Sequence, residues 1–199
     1  MNNNPRQVKP TLRYPGIVDE ILRTILFMVV VTVLFDMAIP RSLVDGRSMQ
    51  PTFEDEERLI VSRLHFFVTL PDRGDIIVFN SVNPRDPDAM LIKRVIGLPG
   101  ETVSFVDQQL LINGIQVDEP YIREECSRVD CPDGEWQLGP DEYFVMGDNR
   151  NNSQDSRDGS IGPIPVDHIV GRVLFRYWPP ERIGAIGEPT YESLEALNP

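Results

Sequence analysis

The fold class is indicated first by residues 111–117, which read LINGIQV. Two short apolar runs that contain isoleucine and valine flank the dipeptide Asn113-Gly114. Asn-Gly is well suited to a type I′ turn, because both central residues of that turn adopt positive φ. The segment therefore predicts a β-hairpin and indicates a chain rich in strands.

Other short apolar runs bounded by turn residues lie on both sides of this hairpin and are typical of strands. They are RLIV at 58–61, DIIVF at 75–79, MLI at 90–92, YFVM at 143–146 and VGRVLFRYW at 170–178. We see no internal repeat and no second long helix among them. We therefore predict a mainly β domain over residues 41–180, followed by an irregular, peripheral tail at 181–199.

The charge of the chain argues against one class of partner and draws attention to one residue. The formal net charge is -12, and such an acidic body repels a phosphate backbone, so we predict no nucleic-acid partner. Of the 19 basic residues, only Lys9 and Lys93 are lysines. Either compositional bias left Lys93 behind, or its position needs an amine that can lose a proton, which arginine cannot do.

The N-terminal region contains an apolar segment, TILFMVVVTVLF at 24–35, after a polar tail at 1–16. We predict that residues 17–40 form a single transmembrane anchor, with Arg23 and Asp36 near its ends, although the uncharged part is shorter than the roughly 20 residues of a typical span. A cleaved signal peptide and a buried core helix are the alternatives. The small-residue site of a cleaved signal peptide is missing, which favours the anchor. The basic tail predicts a cytoplasmic N-terminus and an external body.

Cys126 and Cys131 are the two cysteines of the chain. Their turn-rich surroundings and short spacing fit a small-loop disulfide in an oxidising compartment. A zinc site is the alternative, but two cysteines without a neighbouring histidine fall short of one, and free thiols are a third alternative. We expect the disulfide, at a place outside the catalytic centre, and we predict no metal.

Three segments carry the residue types needed for hydrolysis. They are DGRSMQPTF at 45–53, LIKRVIGLPGE at 91–101 and GDNRNNSQDSR at 147–157. Each has a structural alternative when taken alone: a turn serine, a charge at the end of a strand, and a polar loop. His65 and His168 lie in none of these segments. A hydrolase of this sequence would therefore need a base other than histidine.

Together the three segments resemble those of the type I signal peptidases. The boxes S-M-x-P-T, K-R-V-x-G-x-P-G-E and G-D-N-x-x-x-S-x-D-S-R are present in the family's order, and residues 73–79, RGDIIVF, match a further family segment. The resemblance runs from the anchor to about Arg172. It implies a membrane-bound serine endopeptidase with a β-sheet catalytic domain and a Cys-containing insertion. Such an enzyme removes signal peptides from exported preproteins, and the resemblance implies no cofactor.

The resemblance also implies roles for individual residues. Ser48 would be the nucleophile and Lys93 the general base, which requires desolvation to lower the lysine pKa to about 7–8. Ser153 would hydrogen-bond and orient the lysine. The other supporting residues would be Gly46, Asp148, Asp155 and Arg157. Small substrate residues one and three positions before the cut would enter pockets lined by Val44, Met49, Phe53, Leu91 and Ile92.

Gly46 departs from the family pattern, in which many members carry a serine whose hydroxyl is a second oxyanion donor. The Ser48 N–H is the expected first donor. Two rival functions are a self-cleaving, repressor-type Ser/Lys peptidase and an inactive, membrane-tethered domain that only binds preproteins. The expected location is the bacterial cytoplasmic membrane or the thylakoid membrane, with preproteins and the lipid bilayer as partners. The oligomeric state is not indicated.

Overall fold

The computed structural model describes residues 16–38, 41–44, 46–63, 66, 69–83, 86–187, 189 and 191. The chain divides into two compact units, Met1–Met37 and Ala38–Pro199. The predicted tail at 1–16 lies outside the described residues, apart from Gly16.

The first unit contains the helix α1, Ile17–Ala38. The apolar residues of its part at 17–34 are exposed, as at Phe27, which is 68% exposed. Four charged residues interrupt the apolar character of this helix, and only 12 uncharged residues separate Arg23 from Asp36. Among the described residues, no helix has both the length and the apolar character that a membrane crossing requires. The structure thus confirms a helix, at Ile17–Ala38 of the predicted 17–40, but does not support the predicted transmembrane span.

The second unit is mainly β, as predicted. Its strands are β1 (Arg41–Leu43), β2 (Arg58–Ser62), β3 (Ile76–Asn80), β4 (Met90–Gly97), β5 (Thr102–Val106), β6 (Gln109–Ile112), β7 (Ile115–Gln116), β8 (Gly134–Gln137), β9 (Glu142–Met146), β10 (Ile164–Pro165), β11 (Ile169–Trp178) and β12 (Gly184–Ala185). The five apolar runs singled out above correspond to β2, β3, β4, β9 and β11.

The described strands form two antiparallel sheets. The larger has the order β1-β2-β11-β3-β4-β9-β10, and β12 is added beside β11. The smaller has the order β7-β6-β5-β8. In the larger sheet β4 pairs with β3 on one side, in a register that places Lys93 opposite Ile77, and with β9 on the other. The strand that carries the candidate lysine is therefore an internal strand of this sheet.

The hairpin predicted at 111–117 is confirmed by its backbone. Asn113 and Gly114, between β6 and β7, have φ of 51° and 80°, the positive values that a type I′ turn requires. A second hairpin joins β5 and β6 through Asp107 and Gln108, with φ of 49° and 70°. Sequence analysis missed it because Asp-Gln is not a characteristic dipeptide of such turns.

The Cys-containing insertion packs on the smaller sheet. Cys126 and Cys131 form a disulfide with their Cα atoms 5.8 Å apart, which confirms the predicted pairing. Both cysteines belong to the same buried cluster as Phe105 and Ile112 of that sheet. The disulfide thus ties together the segment that covers this part of the core.

The C-terminal segment is more ordered than expected. Gly184 and Ala185 pair with β11, and Tyr191 is only 9% exposed. The Tyr191 hydroxyl lies 3.2 Å from that of Tyr121, and the two rings meet edge to face. The sequence carries no long apolar run here, and the segment docks through strand pairing and through separate side chains such as Ile186 and Tyr191.

Candidate active site

The candidate nucleophile lies between β1 and β2, in a segment (residues 44 and 46–57) that we call the nucleophile turn. Gly46, near the start of this turn, has φ +98°, a conformation that glycine adopts without steric strain. The Gly46 N–H donates to Asp55 Oδ1 at 3.0 Å, and the Phe53 N–H donates to the Met49 carbonyl at 2.9 Å. These bonds hold the backbone on both sides of Ser48, whose side chain is partly exposed.

The candidate base points from β4 at this turn. Lys93 Nζ lies 2.8 Å from Ser48 Oγ and 3.0 Å from the Ile92 carbonyl oxygen. The lysine is 3% exposed. Residues 45 positions apart in the chain are thus brought into hydrogen-bond contact, which is the geometry required of a nucleophile and its base.

Burial lowers the pKa of Lys93 from 10.5 to about 8, because desolvation penalises the ammonium form. The negative charges of Asp155 and Asp148 oppose this change, and the positive charge of Arg157 adds to it. The net result is an amine that is partly neutral near physiological pH. A neutral amine can accept the serine proton.

Asp155 and Arg157 form a buried ion pair beside the dyad. Arg157 Nε and Nη2 each lie 2.8 Å from a different carboxylate oxygen, and the Gly147 N–H donates to Asp155 at 3.0 Å. Burial by itself raises the pKa of Asp155, but the hydrogen bonds and charge of Arg157 outweigh burial, and the pKa of the carboxyl is lowered. Asp155 is therefore a fixed negative charge that influences Lys93.

Ser153 lies against the nucleophile turn, but it does not bond to the lysine. A Cβ added at Gly147 would overlap both Ser153 Oγ and the Ser48 carbonyl oxygen, which shows how closely this backbone approaches the turn. Within the described part of the chain, the buried Ser153 Oγ makes no hydrogen bond of good geometry. It is nevertheless close enough to the Asp155 carboxylate to contribute to lowering its pKa.

Asp148 belongs to a network that sequence analysis only partly anticipated. Arg94 donates to both carboxylate oxygens of Asp148, at 2.8 and 2.7 Å, and Thr52 Oγ1 donates to the same group at 2.5 Å. Asp148 and Arg94 are almost completely buried, so the pair is largely protected from solvent screening. Thr52 and Arg94 both lie inside the motif segments quoted in the sequence analysis. Their place in those motifs was the signal from which they could have been named as site residues.

A second basic residue, Arg176, bonds to the part of the nucleophile turn that follows Ser48. Arg176 on β11 donates to the Thr52 carbonyl at 3.0 Å and pairs with the buried Glu57 at 3.1 Å. No motif in the sequence indicated this contact, since Arg176 is 124 positions from Thr52.

The predicted pocket residues divide between two clusters. Val44, Met49 and Phe53 are each at most 3% exposed and lie in one cluster, against which Ile92 packs. Leu91 packs against a different cluster, because neighbouring residues of a strand point to opposite faces. The structure therefore brings four of the five residues together.

The site also touches the disulfide. Arg157 Nη1 lies 2.8 Å from the sulfur of Cys131 and 3.4 Å from that of Cys126, while its other nitrogens hold Asp155. One guanidinium thus joins the disulfide to the ion pair beside Lys93. This contact was not expected, because we predicted the disulfide to lie outside the active centre.

Of the two histidines, His168 lies apart from the dyad, with its ring nitrogen 3.3 Å from the Asn80 carbonyl oxygen. His65 lies outside the described residues.

Comparison with known proteins agrees with this geometry. A family described as signal peptidase, peptidase S26 matches residues 17–178. Signal peptidase I of Leptolyngbya laminosa is 42% identical over 155 residues, which cover 73% of this chain and 72% of that protein. Signal peptidase I S of Bacillus subtilis (strain 168) is 42% identical over 146 residues, which cover 69% of this chain and 76% of that protein.

A crystal structure of a signal peptidase I from Enterococcus faecalis V583 is 33% identical, with a TM-score of 0.44, and the match covers 52% of this chain and 97% of that one. The family match spans most of the sequence, and it includes all three segments that meet around Ser48 and Lys93. The chain therefore belongs to the signal peptidase family, peptidase S26.

Proposed function

We propose that this protein is a serine endopeptidase that removes N-terminal signal peptides from exported preproteins by a Ser/Lys dyad mechanism. The observation that carries the proposal is the 2.8 Å contact between Lys93 Nζ and Ser48 Oγ, made by a lysine whose pKa is lowered to about 8. Membership of the signal peptidase family supports the choice of substrate class.

Acylation begins when neutral Lys93 Nζ accepts the Ser48 proton as Oγ attacks the scissile carbonyl carbon. The carbonyl electron pair moves to oxygen, and the Ser48 N–H donates to the resulting oxyanion. Collapse of the tetrahedral intermediate breaks the C–N bond, and the leaving amine takes the proton from Lys93. The signal peptide remains as an ester on Ser48.

Deacylation repeats these steps with water as the nucleophile. Lys93 takes a proton from the water that attacks the ester carbonyl, and it returns this proton to Ser48 Oγ as the signal peptide leaves. Asp155 and Arg157 keep their charges throughout and set the electrostatic field around the amine.

The surface formed by Val44, Met49, Phe53 and Ile92 supports a preference for small residues near the cut. These side chains pack closely enough to be almost fully buried, apart from the partly buried Ile92. Because these side chains fill the space beneath the surface, a substrate side chain that binds against it should be small, such as that of alanine. We propose that the residues one and three positions before the cut bind there, with the substrate added as an extended strand.

We propose that α1 associates the protein with a membrane, where preproteins are presented. The exposed apolar side chains of this helix would otherwise face water at a large hydrophobic cost. Full-length protein should co-sediment with lipid vesicles, and replacing the exposed Phe27 by aspartate should weaken this binding without slowing cleavage of a short soluble peptide. Equal vesicle binding by both proteins would contradict the role of α1.

The function is tested by incubating the detergent-solubilised full-length protein with a preprotein and measuring product masses. Wild type should release a fragment that corresponds to the signal peptide, and Ser48→Ala and Lys93→Arg should not, because arginine keeps the charge but cannot act as a base. Circular dichroism should show that both variants remain folded. Cleavage by Lys93→Arg at the wild-type rate would refute the lysine-base assignment.

A further inference from the structure

Asn149 donates hydrogen bonds to two backbone carbonyl groups, that of Ser48 and that of Arg47 before it. Its backbone N–H donates to the Ser48 carbonyl oxygen at 3.0 Å, and its side-chain Nδ2 donates to the Arg47 carbonyl oxygen at 3.1 Å. The residue is 5% exposed. From this buried position it bonds to the backbone on either side of the Ser48 Cα.

The side chain of Asn149 is used in an unusual way for its position. It precedes the short 3₁₀ turn Arg150–Asn152, where an asparagine side chain commonly caps the first amides, but it makes no such bond. It bonds to Arg47 instead. Because a carbonyl oxygen only accepts hydrogen bonds, the donor end of the amide must face it.

The bond to Arg47 controls the direction of the Ser48 N–H. The Arg47 carbonyl and the Ser48 N–H belong to one planar trans peptide group, so they point in opposite directions. The Gln50 N–H also donates to the Arg47 oxygen, at 3.2 Å. Within the described residues the Ser48 N–H has no acceptor, which leaves it available to a substrate.

We infer that Asn149 is a positioning residue that aims the Ser48 N–H at the oxyanion of the tetrahedral intermediate. This inference rests on the proposed peptidase function. Since Gly46 supplies no hydroxyl donor, the orientation of the Ser48 N–H carries a larger share of oxyanion stabilisation. Removing an entire oxyanion donor costs about 100- to 1000-fold in kcat. Loss of the Asn149 amide leaves the Gln50 bond in place, and we expect a smaller loss, about 10- to 100-fold.

The test compares full-length wild type with Asn149→Ala and Asn149→Leu, of which leucine keeps the branched shape without a donor or a charge. Asn151→Ala is the matched control, because Asn151 in the same turn also bonds to backbone groups, those of Glu125 and Ser127, away from Ser48. Cleavage of a signal-peptide-derived substrate gives kcat, KM and the pH profile. Affinity is measured for a peptide aldehyde and for the alcohol of the same sequence.

The two ligands separate oxyanion stabilisation from ordinary binding. With the aldehyde, Ser48 Oγ bonds to the carbonyl carbon, the carbonyl electron pair moves to oxygen, and the serine proton passes to Lys93 Nζ. The alcohol has no carbonyl and cannot form this adduct. We expect both Asn149 variants to lose kcat and aldehyde affinity by a similar factor, with KM, alcohol affinity and the lysine limb of the pH profile unchanged. Asn151→Ala should match wild type.

Three results would overturn the inference: aldehyde and alcohol affinities that are both unchanged, an equal loss of affinity for both ligands, or a displaced pH limb. The second would mean that the binding surface had collapsed, and the third that Asn149 acts on Lys93. Failure of the proposed function looks different, because wild type itself would then cleave no faster than Ser48→Ala.

Discussion

Replacing Lys93 by methionine should make the protein more stable at neutral pH while abolishing cleavage. Methionine keeps an unbranched, apolar side chain of similar length, and it carries no charge that must be desolvated. The lysine has the opposite property, because burial lowers its pKa from 10.5 to about 8. At about 1.4 kcal/mol for each pKa unit, this difference corresponds to about 3 kcal/mol of destabilisation at pH 7.

The sign of the pH dependence follows from proton binding. Between pH 8 and 10.5 the unfolded chain holds a proton on Lys93 that the folded protein has released, so stability rises with pH across this window. The stability advantage of Lys93→Met should therefore be largest below pH 8 and shrink as the pH approaches 10.5. The variant also loses the hydrogen bonds to Ser48 and Ile92, each worth about 1 kcal/mol, so a net gain in stability of about 1 kcal/mol is expected at pH 7.

The assay is urea unfolding of wild type and Lys93→Met, in the same detergent, at pH 7 and pH 10. Tyrosines such as Tyr121, whose pKa burial raises well above its usual value, contribute equally to both proteins and cancel in the difference. A difference in unfolding free energy between the two proteins that does not change with pH would refute the reasoning. A wild type that is more stable than Lys93→Met at pH 7 would refute it as well.

Three further predictions concern activity and local stability. The kcat/KM for peptide cleavage should rise with pH through a limb near pH 8, since neutral Lys93 is the reactive form, and a flat profile from pH 6 to 9 would contradict this. Gly46→Ser and Gly46→Ala should each lower the free energy of unfolding, measured in urea, by about 1–2 kcal/mol, because a side chain at this positive φ is strained. In single-turnover cleavage we expect the serine variant to be at least as fast as the alanine variant. Equal failure of both variants would discard a donor role for the hydroxyl. Joint replacement of Cys126 and Cys131 by serine should lower the thermal midpoint only modestly, because the closed loop is short, while free thiols found by trapping under non-reducing conditions would contradict the disulfide.

Local signals in the sequence were sufficient for much of the fold. The hairpin at Asn113-Gly114 was predictable because a type I′ turn places strong demands on two adjacent residues. The longer apolar strands were predictable because they form the core of the sheet. The Asp107-Gln108 hairpin and the docking of Tyr191 were not, since their residue types are compatible with many conformations. The helix at residues 17–38 was predictable from its apolar segment, but among the described residues no helix has the length and apolar character that a membrane crossing requires.

For the active site, the sequence by itself determined which residues were candidates: Ser48, Lys93 and the segment at 147–157 were named from motifs. Their contact, and the burial that lowers the pKa of Lys93, depend on antiparallel pairing and packing between residues far apart in the chain. The same is true of the Arg157 contact with the disulfide and of the two bonds from Asn149 to the nucleophile turn. Distance and desolvation are properties of the packed chain, so only the tertiary structure shows that Ser48 and Lys93 meet and that the pKa of the amine is lowered.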